Sequence, residues 1–354
     1  MNIKLKLSSL KEMNVISKMR TEALEAADVM YKQVQENKLL LQNISKELNA
    51  IDPYSIVSIA RGSSDHAAQY LNYLTMAKLG KLPTSLSMSI LTLYKTEMDV
   101  SRSIGIAISQ SGQSPDVVNP LKYFTEKSLG SLALVNDTSS PLASAAKWTV
   151  PLHAGAEKSV AATKSFIASL SASAHLVASW KNDIALLQGL ERLPEDLKKA
   201  QACDWTSAIP TLKNAKRIMV VGRGFGLPLA LEASLKFKET CSIQAEAFSA
   251  AEIKHGPQAL IENGYPLLIF ANRGPALHSM LDLAQDMRAR GAKVILAAPS
   301  FVAEKDLLIE SAHCEELDIL SAAQSFYLMI EELSRSLGLN PDEPRHLSKV
   351  TKTN

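Results

Sequence analysis

Cysteine is scarce in this chain of 354 residues, which has only Cys203, Cys241 and Cys314. Three thiols leave one over from any set of disulfides and form no CxxC pair, so a disulfide-stapled secreted scaffold is excluded and a reducing cytoplasm is the expected compartment. Net charge is scarce too. Lys plus Arg number 38 against 36 Asp plus Glu, a balance of +2, which gives no reason to expect nucleic acid or a membrane surface as partner. No uncharged run reaches the length of a membrane span. The first residues, with Lys4, Lys6, Lys11 and Glu12 scattered among them, lack the apolar core of a signal peptide. His66, His153, His175, His278, His313 and His346 show no metal-ligand spacing, and no HExxH or Cys/His cluster exists, so no metal is expected. Gly222-Arg223-Gly224-Phe225-Gly226 is dense in glycine but lacks the GxGxxG spacing of a dinucleotide site. The expected partner is a small molecule, bound without a cofactor.

What is present is a β/α alternation. The length exceeds one ordinary core and suits two α/β domains. Met19 to Leu48 place Ala, Val, Met and Leu at helical spacing, predicting one or two amphipathic helices that Asp52-Pro53 close. Strands follow at Ser55 to Ala60, Thr84 to Ile90, Ile104 to Ile108 and Ser131 to Val135, with a helix from about His66 to Leu79. The pattern then restarts: a strand at Lys216 to Gly222, a helix at Leu229 to Thr240, and strands at Leu267 to Ala271 and Lys293 to Ala297. Such alternation predicts parallel sheets flanked by helices, a three-layer αβα arrangement in each half.

One spacing relates the halves. Arg61-Gly62 and Arg223-Gly224 are 162 residues apart, as are Gly112 and Gly274, and Leu132 and Val294. Three strands sharing one offset predict a tandem duplication. The copies diverge where chemistry is at stake. Ser109, Gln110, Ser111 and Ser114 in the first copy correspond to Ala271, Asn272, Arg273 and Ala276 in the second. A strand followed by hydroxyls, a side-chain amide and the free N–H groups of a helix N-terminus is suited to cradle a phosphate. A polar turn after a strand has the same composition, and the loop by itself leaves both readings open. Ligands of such sheets sit at the carboxyl ends of the strands, so Ser64 and the Ser109 to Ser114 loop can face one anion together.

The second half carries Lys236 and Glu239, three apart on one helix face, and His255 before the abrupt turn Gly256-Pro257. An exposed ion pair of little energetic consequence explains the first two. That is the reading the residues by themselves favour; the other is a carboxylate aimed into a cleft, able to move a proton next to a carbonyl or imine.

With these residues in hand, the chain resembles the sugar isomerase (SIS) proteins, in particular the isomerase half of the glutamine:fructose-6-phosphate amidotransferases. The resemblance rests on Arg61-Gly62-Ser63-Ser64, Ser109-Gln110-Ser111-Gly112, Val160-Ala161-Ala162-Thr163-Lys164, Leu235 to Glu239, Ala245-Glu246-Ala247, Glu252 to Pro257 and the tail Asn340 to Lys349. It implies two SIS domains, residues 1–195 with the leading helices and 196–338, and a tail, 339–354, that closes the site. It implies that Ser64, Ser109, Gln110, Ser111 and Ser114 bind phosphate, Ser114 standing where the family more often has Thr. Gly62, Ser63, Val160, Ala161 and Ser348 would line the sugar pocket. Glu239 falls on the base that carries a proton between carbons 1 and 2, and Lys236 on its assistant. His255 falls on the ring-opening histidine that reaches in from a neighbouring subunit, so a homodimer is implied. Lys349 falls on the tail lysine able to form a Schiff base; without the resemblance it reads as a solvated charge.

One departure sets the direction expected. The amidotransferases carry an N-terminal glutaminase domain whose catalytic cysteine follows the initiator Met. Here Asn2 follows Met1, and about fifty residues ahead of the first strand are few for a further domain. The expectation is therefore a glucosamine-6-phosphate deaminase yielding fructose 6-phosphate and ammonium. Rival expectations are a fructosamine-6-phosphate deglycase, another amino-sugar or ketose-phosphate isomerase-deaminase, and a sugar-phosphate sensor without catalysis.

Overall fold

The computed structural model describes residues 16–349. We number the strands and the helices of seven residues or more. Helix α1 (Lys18–Leu24) and helix α2 (Ala26–Ile51) lead into strand β1 (Ser55–Ile59), helix α3 (Ser63–Leu74), strand β2 (Leu82–Ser85), strand β3 (Ser103–Ser109), helix α4 (Pro115–Lys127), strand β4 (Gly130–Val135) and strand β5 (Trp148–Pro151). Two long helices, α5 (Lys164–Lys181) and α6 (Ile184–Gln201), separate these from strand β6 (Arg217–Gly222), helix α7 (Leu227–Cys241), strand β7 (Gln244–Ser249), strand β8 (Pro266–Phe270), helix α8 (Leu277–Ala289), strand β9 (Lys293–Ala298), strand β10 (Leu307–Leu308) and helix α9 (Asp318–Ser336).

Every strand pairing is parallel. The two sheets run β2-β1-β3-β4-β5 and β7-β6-β8-β9-β10, the same topology strand for strand, as the offset of 162 residues predicts. In each sheet the second strand in sequence turns back past the first to one edge while the third pairs on its other side, a reversal that opens a crevice at the carboxyl ends.

The largest apolar cluster joins the inner faces of both sheets through α2, α5, α6, α7 and α9, while two smaller clusters fill the outer faces. Helices α5 and α9 are buried almost all round, which their composition allows because Ser and Ala are mixed with Leu, Ile and Phe and no Asp, Glu, Lys or Arg stands between Lys164 and Lys181, the two ends of α5. The strand expected at Thr84 to Ile90 is shorter. Leu86 N donates to Ser58 O at 2.9 Å, and beyond that bond β1 turns away at its own end, leaving β2 without a partner; Ser89–Thr92 is a helical turn instead. The helix expected from His66 starts earlier, at Ser63, and its last turn, Thr75–Leu79, widens to π geometry. Strands β5, β7 and β10 were not anticipated: β5 and β10 have only four and two residues, and β7 lies half exposed at a sheet edge.

Candidate active site

The serine loop connects β3 to α4. Ser109 ends the strand, Ser114 occupies the N-cap and Pro115 opens the helix, where its missing N–H costs nothing. Gly112 sits at φ +63° and a Cβ there would stand 2.1 Å from Ser140 Oγ, so the loop can close only over glycine. Its N–H donates to Ser109 Oγ at 2.9 Å. One strand away, Ala60-Arg61-Gly62 connects the end of β1 to α3, which begins at Ser63. The positive ends of two helices, α3 and α4, thus converge with their serines on one cavity of about 360 Å³, the arrangement that favours a dianion.

Ser64, Ser109, Gln110, Ser111 and Ser114 form one wall of this cavity. Gly62 and Ser63 border it, as do Val160 and, from the tail, Ser348 and Lys349. Ala162 rather than Ala161 reaches its surface; Ala161 faces the core. Glu239, from the second sheet's α7, reaches the same cavity. Arg61 crosses its mouth, donating through Nε to Asp116 at 2.9 Å.

Lys236 is not an exposed charge. Its side chain is 0% exposed and lies 2.9 Å from Glu232 and 2.8 Å from Glu239, and its ammonium donates to Ser63 Oγ at 3.1 Å. Burial disfavours its charge, but Glu232 and Glu239 outweigh that and raise its pKa above the usual lysine range. Glu232, also 0% exposed, accepts from Ser63 Oγ at 3.1 Å and Tyr327 Oη at 3.0 Å and pairs with His66 Nδ1 at 3.0 Å. Burial opposes its ionisation; Lys236 and His66 prevail and hold its carboxyl down to about 2. The network spans α3, α7 and α9, so the cleft between the two sheets is built around one ionised cluster. Glu232 was missed in the sequence, although its place four residues before Lys236 on one helix face was a signal.

The tail is anchored rather than solvated. Asp342 accepts from the N–H groups of Lys18 and Met19 at 2.9 and 2.8 Å, capping α1, and Val160 N donates to Asp342 O at 3.1 Å. Lys349 Nζ donates to Glu157 at 2.9 Å. Glu157 is fully buried and also accepts from Thr163 N, Ser165 N and Ser165 Oγ at 3.0, 3.1 and 2.7 Å, at the start of α5. No local pattern marked it, because its partner lies 192 residues away. His255 lies exposed on the turn before Gly256 and does not line this chain's cavity.

Among the described residues no group of His, Cys, Asp and Glu could hold a metal ion, and no helix is long and apolar enough to cross a membrane. With Ser64 and the serine loop on one side, Glu239 on the other and Lys349 at the rim, the cavity can hold a phosphorylated polyol and present a carboxylate to its carbon chain.

Comparisons with known proteins agree with this fold. The SIS domain family matches residues 51–179 and 211–306. The glutamine–fructose-6-phosphate aminotransferase [isomerizing] of Thermus thermophilus is 32% identical over 366 aligned positions, 92% of this chain and 60% of that protein. That of Methanothermobacter thermautotrophicus is 33% identical over 303, covering 83% and 51%. The chain thus spans between half and three-fifths of these relatives. Among solved structures, a Silicibacter pomeroyi protein described as a phosphosugar isomerase is 35% identical at a TM-score of 0.88, covering 92% of this chain and 100% of that one. The glucosamine-6-phosphate deaminase of Thermotoga maritima, 19% identical at a TM-score of 0.70 over 92% and 100%, shares the fold.

Proposed function

We propose, from the premise that this chain belongs to the SIS domain family, that it is an isomerising deaminase of glucosamine 6-phosphate, releasing fructose 6-phosphate and ammonium. The observation that carries the reading is the meeting of the serine loop and Glu239 on one cavity, although 125 or more residues separate them in sequence.

Ser64, Ser109, Gln110, Ser111 and Ser114 hold the phosphate, which places the other end of the open-chain sugar beside Glu239. Glu239 takes the proton from carbon 2 as the aldehyde oxygen gains one, giving an enolamine. The proton returns at carbon 1, leaving an imine at carbon 2. Water adds to that imine and the nitrogen departs as ammonium, so one water is consumed for each ammonium released. Lys236 donates to Glu239 and keeps its carboxylate turned to the cavity. Lys349 at the rim offers a cation to the sugar's hydroxyls, and His255 of a second subunit assists ring opening. No step needs a metal or a redox cofactor, since the substrate's own carbonyl accepts the electrons released by the broken C–H bond.

Two comparisons support the choice of an amino sugar: the relatives named as aminotransferases transfer an amino group, and a chain of the same fold bears a deaminase name. The test is a panel of glucosamine, galactosamine and fructosamine 6-phosphates with ammonium and fructose 6-phosphate assayed separately. Both products should rise together from glucosamine 6-phosphate. Interconversion of phosphohexoses with no ammonium released would replace this reading by plain aldose-ketose isomerisation.

A further inference from the structure

The second repeat has a cavity of its own at the place where the first repeat has its phosphate cradle. It measures about 410 Å³ and lies at the carboxyl ends of β6 and β8, the position at which parallel sheets of this kind receive ligands. The turn that shapes it is preserved: Gly62 and Gly224, 162 residues apart, both hold φ at +56°. The chemistry around the turn is exchanged. Ser63 and Ser64 become Phe225 and Gly226, and Ser109, Ser111 and Ser114 become Ala271, Arg273 and Ala276. A dianion cradle has lost its hydroxyls.

Two polar features survive the exchange. Gln110 corresponds to Asn272, which borders the cavity, is only 8% exposed, and has no hydrogen-bond partner for either polar atom of its amide. An amide left so inside a protein is costly, on the order of 1–3 kcal/mol for each unmet group. A ligand edge carrying a donor beside an acceptor would satisfy both atoms once the side chain turns towards the cavity. Arg61 corresponds to Arg223, but the first is paired with Asp116 while the second donates only to the neutral Ser279 Oγ, at 3.1 Å. Arg223 is exposed and makes no ion pair among the described residues. The other arginine at the cavity, Arg273, is already held by both oxygens of Asp318.

Apart from Asn272, the two arginines and the carboxylate of Glu315 beside Arg273, the walls are apolar and aromatic. Phe225 packs edge-on against Tyr73 and Tyr70, with ring centroids 6.2 and 6.0 Å away, and Phe270 and Met280 close the other side. Flat apolar walls, one buried amide and one unpaired guanidinium at the mouth define a ligand with three parts: a planar heteroaromatic ring, an edge with adjacent donor and acceptor, and one anionic group. We propose that this second cavity binds a nucleoside monophosphate, base inward against Asn272 and phosphate at Arg223. Asparagine pairs with such an edge in two hydrogen bonds, and arginine meets phosphate oxygens with its planar fork. A sugar phosphate without a base fits neither the walls nor the amide. The inference is independent of the reaction assigned to the first cavity.

The experiment is calorimetric titration of the whole protein with AMP and UMP, with adenosine and ribose 5-phosphate as partial ligands and fructose 6-phosphate as a probe of the first cavity. Ala77→Trp, at an exposed position on the cavity wall, fills the space; Arg223→Ala removes the cation. At least one nucleotide should bind saturably below about 1 mM, adenosine more weakly, and ribose 5-phosphate not at all. Both variants should weaken nucleotide binding about tenfold or more and leave fructose 6-phosphate binding unchanged, which also shows that they fold. The proposal is overturned if neither nucleotide saturates while fructose 6-phosphate does, if binding is unmoved in either variant, or if fructose 6-phosphate displaces the nucleotide.

Discussion

Glu239 and Glu157 are two carboxylates with opposite circumstances. Glu239 keeps 21% of its side chain exposed and borders the cavity, as the proposed base must. Glu239→Gln keeps the shape and removes the basic oxygen, so deamination should fall by about a hundred to ten thousand fold while fructose 6-phosphate still binds; unchanged turnover would show that another group moves the proton. Glu157 touches no cavity and acts through Lys349. Burial works against its charge, but Lys349 and Ser165 hold its carboxyl below the ordinary range, so the ion pair persists through neutral pH. In Glu157→Gln the lysine loses its anchor, and the tail should become cleavable by trypsin after Lys349 with a rise in KM of about tenfold. A tail as resistant as the wild type would show that Asp342 anchors it unaided. The residues legible beforehand were those whose neighbours in sequence share their work, such as the serine loop. Glu157 and His66 were not, because each finds its meaning in a side chain on another element; Glu232 left only the signal of its spacing from Lys236.

Among the elements, α5 links the site to the core. Its first turn is held by Glu157, and further along His175 is 2% exposed with Nδ1 unpartnered. Burial, assisted by the charge of Lys38, pushes the imidazole pKa down from 6.5 to about 4. The unfolded chain therefore binds the extra proton first as pH falls. Stability attributable to His175 is complete above pH 6.5 and lost as the pH drops towards 4, amounting to about 3 kcal/mol. Urea melts of wild type and His175→Leu between pH 4 and 7 should show a steeper acid loss in the wild type; parallel curves would place the acid sensitivity elsewhere. Helix α7 illustrates the limit of local reading. Its helical spacing was plain, yet which face is buried depends on α3 and α9 packing over it. Lys236 for that reason read first as solvent-exposed.

At the scale of the whole molecule, two copies of one sheet share a central layer of helices, and the site lies where a loop of the first meets a helix of the second. In the proposed dimer His255 of the partner is a third contributor, and that proposal predicts complementation. Glu239→Gln and His255→Ala homodimers should each be nearly inactive. Mixed after dissociation, about half of the dimers would be hybrids with one intact site, restoring about a quarter of wild-type activity. No recovery in verified hybrids would assign His255 to its own subunit's site or to none.

The sequence by itself determined the repeat, the parallel α/β class and the position of the serine loop, because hydrophobic periodicity, turn glycines and a constant offset are local properties that survive without a fold. Only the tertiary structure decided that Lys236 is buried, that the tail is anchored by Glu157 and Asp342, and that the second repeat encloses an apolar cavity around an unpartnered amide. Burial and pairing depend on what packs from a distance, and that is settled by the joint collapse of both sheets onto one helical layer.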